Sequence, residues 1–280
     1  SDSTQTLSAI PHGLPATAAK LDRGTEYDEL WWMPAKIAVT IWKTTTAIAS
    51  PTATSTQDCG KVYIDYKPPL AEQHIRCTLQ PAAGLTLAVS SDPSWSFELQ
   101  RAGTTVQRFT EITDKIGQSG VAPLLADLDG TGIPSLLVVN GRGGTGGEPM
   151  AVWKFNPEET EFVRAGEIFG FRHYYRSTEG LFGLYAHSGA GAGVVTLYRW
   201  DGDSLVAVVL LDVQTPDWTV QSTDKRVWLR NKNVMCTLNK DDYPAGSLAA
   251  WRAQLTAAGF DPATAAEHFC MQPWVGTLYR

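Results

Sequence analysis

Strand, polar turn, strand recurs along this chain at residues 62–66, 97–109, 152–163, 196–208 and 227–238. Apolar and polar positions alternate there with the period of half-buried strands. The clearest pair sets Val152, Trp153, Lys154 and Phe155, then a turn and Phe162, against Leu197, Tyr198, Arg199 and Trp200, then a turn and Leu205. Both read apolar, aromatic, basic, aromatic, turn, apolar. Trp153 and Tyr198 stand about 45 residues apart. An apolar strand and a glycine-rich loop precede each hairpin, at 136–139 then 141–147, and at 181–185 then 189–193. A hairpin unit at that spacing matches the blades of a propeller. The expected class is all-β: irregular β-propeller-like repeats of hairpins with a short C-terminal helical segment. Tyr63, Phe97 and Trp228, taken as equivalent positions, give unequal intervals, so the blades should be degenerate.

Helical periodicity is confined to the end of the chain. Ser247 can cap a helix that sets Leu248, Trp251, Leu255 and Ala258 on one face, with Gly259 as its stop. Asp261 and Pro262 open a second short helix through about His268. At the other end, residues 1–25 are small and polar and predict an irregular arm. Residues 26–280 then form one β-propeller-like domain, including helices at about 246–269. Trp31, Trp32 and residues 37–42 mark its first strands, and 47–58 reads as a loop.

Composition narrows the class. Hydrophobic residues make up 43% and charged residues 19%, too apolar for a disordered chain. No uninterrupted apolar run is long enough to span a bilayer as a helix. A net charge of −6 argues against nucleic acid, which needs basic stripes, and suits a cationic protein partner or plain solubility. The ten tryptophans are mostly expected in the sheet interior.

The four cysteines fall into two local pairs without metal-site spacing. Among three connectivities, Cys59–Cys77 and Cys236–Cys270 are expected, with four buried thiols as the alternative. Disulfides place the chain in the periplasm or outside the cell. Its polar start holds no export signal, so a signal, with or without a lipid anchor, is expected to have preceded residue 1.

The sharpest motif is Asp127-Leu128-Asp129-Gly130-Thr131-Gly132-Ile133-Pro134-Ser135. Oxygen side chains at alternate positions with glycines between them can surround a hard cation. Asp127, Asp129, Thr131, the Ile133 carbonyl and Ser135 are the candidate calcium ligands. The flanking segments read as strands, which excludes an EF-hand. The alternative is a turn shaped by aspartate hydrogen bonds to its own backbone. With the apolar strand that follows, the segment resembles the FG-GAP/VCBS-type repeat of β-propellers. The chain as a whole is similar to periplasmic calcium-binding immunity proteins that inhibit lysozyme-like effectors of competing bacteria. That resemblance implies a structural calcium ion and a secreted hydrolase as partner. Ser135 departs from the family's acidic residue.

Other motifs carry less. Gly141, Gly143 and Gly146 satisfy G-x-G-x-x-G, but a strand follows where a dinucleotide site needs a helix. The segment reads instead as a mobile connection with Arg142 at its tip as a partner contact. His173-Tyr174-Tyr175-Arg176 is an aromatic and basic strand, with Tyr174 and Arg176 as partner contacts. Gly117-Gln118-Ser119-Gly120 lacks the last glycine of a nucleophile elbow. His187 and Ser188 point to opposite faces of a strand and form no dyad. The chain therefore reads as a binding protein with no catalytic role, either an inhibitor of a cell-wall hydrolase or a carbohydrate- or adhesin-type binder.

Overall fold

Leu85-Thr86-Leu87-Ala88-Val89-Ser90-Ser91 shows how this chain makes strand: every second side chain is buried and the others are half-buried. The computed structural model describes residues 57–64, 74–91, 94–112, 120–217, 227–242 and 245–279. The expected arm, the first strands at Trp31, Trp32 and 37–42, and most of the 47–58 loop lie outside the described residues.

Three antiparallel sheets follow in chain order. The first runs β1 (Arg76–Leu79), β2 (Leu85–Ser91), β3 (Trp95–Arg101) and β4 (Thr104–Glu111), each beside the next. The second repeats that meander with β5 (Leu124–Ala126), β6 (Ser135–Val139), β7 (Glu148–Asn156) and β8 (Glu161–Gly170). The third begins with β9 (Tyr174–Arg176), β10 (Phe182–Gly189), β11 (Ala192–Asp201) and β12 (Ser204–Gln214). Beyond β12 it is extended by β14 (Val234–Leu238) and then β13 (Leu229–Asn231).

The repeat read from the sequence is the closing hairpin of each meander. β3 with β4, β7 with β8, and β11 with β12 occupy the same place in successive sheets. Each carries one register shift, at Leu99/Gln100, Val152/Trp153 and Leu197/Tyr198. Such bulges bend and twist a ladder. The β3–β4 turn takes positive φ at both central residues, Ala102 at 48° and Gly103 at 79°. That matches the right-handed twist of a hairpin.

Packing runs from sheet to sheet. Trp95, Phe97 and Leu99 of the first sheet meet Leu136, Val138, Trp153, Phe155 and Phe162 of the second. Phe109 lies between them, 4.8 Å from the Phe97 ring and 4.4 Å from that of Trp153. The second sheet's other face packs Leu137, Met150, Val152 and Ile168 on Phe182, Leu184 and Tyr198. All five residues of β6 are buried, because its sheet is covered on both faces. A two-sided burial of this kind demands a continuous apolar run in place of alternation. The described protein is thus mostly β, as expected, in stacked antiparallel sheets. A closed ring of blades is not displayed by the described residues.

Polar bridges cross from the first sheet to the second, an Arg101 terminal nitrogen donating to the Thr160 hydroxyl among them. The Gln107 amide accepts from Phe162 N at 2.8 Å and donates to Phe162 O at 2.8 Å, as a strand neighbour would. Glu111 is 4% exposed and accepts from Trp153 Nε1 at 2.9 Å and from Arg164 Nε and a terminal nitrogen at 2.9 and 3.0 Å.

The C-terminal segment covers the third sheet's far face. Helix α1 (Ser247–Ala257) and helix α2 (Ala265–Cys270) bring Leu255, Phe269 and Cys270 onto Val209, Leu211, Val213 and Cys236. Ser247 does not cap α1 as the sequence suggests. Gly246 holds that position in a left-handed conformation, and Asp242 Oδ1 accepts from Leu248 N at 2.9 Å. α2 starts later than expected, after a turn in which the Asp261 carbonyl accepts from Thr264 and Ala265. Both disulfides are formed as paired from the sequence: Cys59–Cys77 and Cys236–Cys270. The former does not join two strands of a hairpin. Cys59–Lys61 is a 3-10 turn, residues 62–64 are not strand, and Asp58 bridges singly to Thr78.

Glu179, in the turn between β9 and β10, anchors the helical segment. Its carboxylate lies 2.6 Å from His268 Nε2 and accepts from Gln272 Nε2 at 3.0 Å. Burial alone would raise its pKa, but hydrogen bonds from Thr178, Ser177 and Gln272 outweigh that and hold it at about 2. A depressed carboxylate contributes stability above its unfolded value of about 4.5, lost as the pH falls toward 2. Wild-type thermal stability should therefore drop more steeply over that window than that of Glu179→Gln. Parallel curves for the two would show that Glu179 does not hold the helices.

Candidate functional site

Two regions carry the residues singled out from the sequence. One is the 127–135 loop, which joins β5 to β6. Short polar side chains and two left-handed glycines, Gly130 and Gly132, fold it back on itself. Asp127 Oδ1 accepts from Gly130 N at 2.8 Å, and its Oδ2 accepts from Gly132 N at 3.2 Å. Asp129 Oδ1 accepts from Thr131 N at 3.0 Å and from the Thr131 hydroxyl at 2.7 Å. Its Oδ2 accepts from Trp200 Nε1 of β11 at 2.8 Å. Burial would raise the Asp129 pKa, yet these bonds from Thr131 and Trp200 leave it below the usual aspartate value.

Ile133 N donates to Thr131 Oγ1 at 3.4 Å, and Ile133 and Ser135 line one cleft with Asp129 and Thr131. Ser135 is 3% exposed and pairs with Ala126 as the first residue of β6. Ile133 is 43% exposed. Calcium takes about six to eight oxygens. All four carboxylate oxygens accept a hydrogen bond, and all but Asp129 Oδ1 keep a further lone pair; what the site lacks is charge, since Thr131 and Ser135 add none to its two carboxylates. The donor set fits calcium poorly, and nothing below is routed through a metal.

The second region spans β9 and the 141–147 loop between β6 and β7. The loop is not the free connection its glycines imply. Gly143 N donates to Gly147 O at 2.6 Å, Gly146 N to Gly143 O at 2.9 Å, and the Thr145 hydroxyl to His187 O at 3.0 Å. A Cβ on Gly147 would sit 2.6 Å from the Phe169 ring, so the loop needs glycine in order to lie on its own core. Arg142 is exposed on this folded loop.

Along β9 the strand period sorts the aromatic run. His173 and Tyr175 share a side, with ring centres 4.6 Å apart, and Tyr175 continues to Trp274 at 5.1 Å. Tyr174 is not offered to a partner as the sequence reading has it. It packs on the core between the second and third sheets, its hydroxyl is buried, and that burial pushes its pKa up to about 12. Arg176 does not stand free either; it lies against the 127–135 loop. Arg172, which the sequence reading passed over, is 40% exposed and pairs with Glu148 at 2.7 Å.

A further group went unread. Tyr185 Oη lies 2.8 Å from His187 Nδ1 and donates to Tyr279 Oη at 3.0 Å. Tyr279 Oη donates onward to Val213 O at 3.2 Å. The signal was present: residues two apart on a strand share a face, so Tyr185 pairs with His187 where Ser188 cannot. Tyr279 comes from the far end of the chain. A cleft of about 280 Å³ also opens beside the acidic loop, lined by Asp129, Thr131, Lys154, Asn156, Glu158 and Trp200. The Lys154 ammonium lies 5.4 Å from the centre of the Trp200 ring.

No protein-family model and no curated protein sequence matches this chain. The FG-GAP/VCBS-type resemblance therefore rests on the loop's own residues. Among solved structures, the chain is similar to one described as a Xanthomonas type IV secretion system related protein. That match is 13% identical, covers 56% of this chain and 90% of the other, and has a TM-score of 0.35. So slight a likeness transfers neither fold nor role.

Proposed function

We propose that this chain is a periplasmic, non-catalytic binding protein of irregular propeller-like build. As an immunity protein, it neutralises a cell-wall-degrading, lysozyme-like effector by seating a loop in its active-site cleft. The 141–147 loop carries this reading: it is narrow, glycine-rich, folded in advance, and presents Arg142 to solvent. A loop already ordered loses little entropy on binding. A guanidinium can pair with both oxygens of a carboxylate, and glycoside hydrolases carry two carboxyl groups in the cleft. Two disulfides fit an oxidising compartment outside the cytoplasm. The charge of −6 would draw in a basic enzyme and make association slower in salt.

The test mixes purified protein with secreted hydrolases from the same genome and follows lysis of cell walls. Protection by the wild type, weakened at least about tenfold in Arg142→Ala, is the expected result. If no hydrolase is bound or inhibited, the reading falls. A carbohydrate-binding role is the second reading, because the Trp200 cleft joins an aromatic ring to a polar rim. Glycan binding lost in Trp200→Ala, without any hydrolase inhibition, would put it first.

A further inference from the structure

The 127–135 loop gathers negative charge at one point. The Asp127 and Asp129 carboxylates both turn back onto this one short loop, accepting from the N–H groups of Gly130, Gly132 and Thr131. Two carboxylates on one short loop are stabilised by a positive partner. Positions 5 and 9 of the motif, Thr131 and Ser135, bring no further charge. A divalent ion would therefore meet only two carboxylates, both bonded to the loop's own N–H groups or to Trp200.

Arg176 reaches this loop from the neighbouring sheet. One terminal nitrogen donates to the Asp127 carbonyl at 2.7 Å, and Nε donates toward the Leu128 carbonyl at 3.3 Å. The same terminal nitrogen lies 3.8 Å from Asp127 Oδ2. The guanidinium thus meets two backbone carbonyls and a carboxylate together, the kinds of oxygen a hard cation would collect. Its planar fork suits that task, because one group reaches several acceptors at fixed angles. Gly130 favours the approach: its φ of +85° suits glycine, and a Cβ there would stand 3.1 Å from Arg176 Nε, so that the guanidinium would have to shift by a few tenths of an ångström.

We infer that Arg176 is the resident cation of this loop, so that the D-x-D-G-T-G segment is a metal-independent clasp between the second and third sheets. Trp200 closes its other side from β11 through Asp129. The clasp also fixes β9, and with it the side on which His173 and Tyr175 lie. Arg176 is a positioning residue, and its contacts are internal to the protein.

The experiment compares melting temperatures of the wild type, Arg176→Met and Arg176→Lys, each with millimolar calcium chloride and with a chelator. The wild type should melt at the same temperature in both. Arg176→Met should melt lower by about 3 °C or more, a shift that a lost interaction of about 1 kcal/mol gives at this size. Arg176→Lys should recover part of that loss, since an ammonium supplies the charge without the fork. A calcium-dependent rise in the wild type would overturn the proposal. So would an Arg176→Met protein as stable as the wild type. Neither result depends on which partner the protein binds.

Discussion

Glu111→Ala is expected to destabilise the protein by about 3–5 kcal/mol, the cost of leaving a partly buried guanidinium without its partner. Glu111 is almost wholly buried at the end of β4, and three hydrogen bonds converge on it from β7 and β8. Its removal strands Arg164, whose other contact is the exposed Glu167 at 2.8 Å, and it frees the buried Trp153 N–H. The bridge also joins two sheets that no strand pairing connects. Desolvating a charge pair offsets most of its attraction, so an apolar pair of similar volume should be tolerated. Glu111→Leu combined with Arg164→Met is therefore expected to regain part of the loss, the share that remains being the unpaired Trp153 N–H. Urea unfolding of the two single variants and the pair would give the coupling between them. A single-variant cost below about 1 kcal/mol would mean that water screens the bridge after all.

Gly183→Ala is expected to cost about 3 kcal/mol or more, at the upper end for overpacking, because the clash is with backbone. A Cβ at Gly183 in β10 would stand 2.0 Å from the Thr196 carbonyl oxygen and 2.8 Å from Leu197 Cδ2. The carbonyl cannot move without separating β10 from β11, which pair from Phe182 with Tyr198 to Gly189 with Ala192. Gly193 faces the same limit from the opposite strand, with the Tyr185 ring at 2.3 Å and the Ala186 carbonyl at 2.4 Å. Gly144→Ala is the control. A Cβ there meets nothing within 4 Å, and its stability should stay within about 0.5 kcal/mol of wild type. A Gly183→Ala protein as stable as that control would show that the two strands are not held this closely.

These two expectations mark how far the sequence can be read. Strand identity in the first two hairpins was legible because one face is buried and the other is not, as Phe97 to Phe109 and Trp153 to Phe162 show, whereas Tyr198 to Ala207 packs on both faces without that alternation. The turns between them were legible because positive φ selects glycine and a few other residues. Both cysteine pairs were legible because each closes a short stretch of chain. Residues 62–64 carry the same alternation without a strand neighbour, since a disulfide and a 3-10 turn fix that stretch instead.

The candidate site was legible as chemistry and illegible as geometry. Alternate oxygens in the 127–135 loop announce a place for positive charge. They do not tell which cation fills it, and that is decided by Arg176, 49 residues beyond Asp127. Strand parity separates Tyr174 from Tyr175, but which core each one meets, that between the second and third sheets or that under the helical segment, depends on where those neighbours lie. Glycines at 141–147 predict freedom in an isolated chain, yet contact with Phe169 turns them into a fixed loop. Local sequence thus determined the strands, turns, helices and disulfides, whose causes lie within a few residues or one short loop. Tertiary structure decided which sheet faces which, and so which charges are neutralised, which tyrosines are buried and which arginine remains exposed. Those outcomes depend on packing between segments distant in sequence, which no local period records.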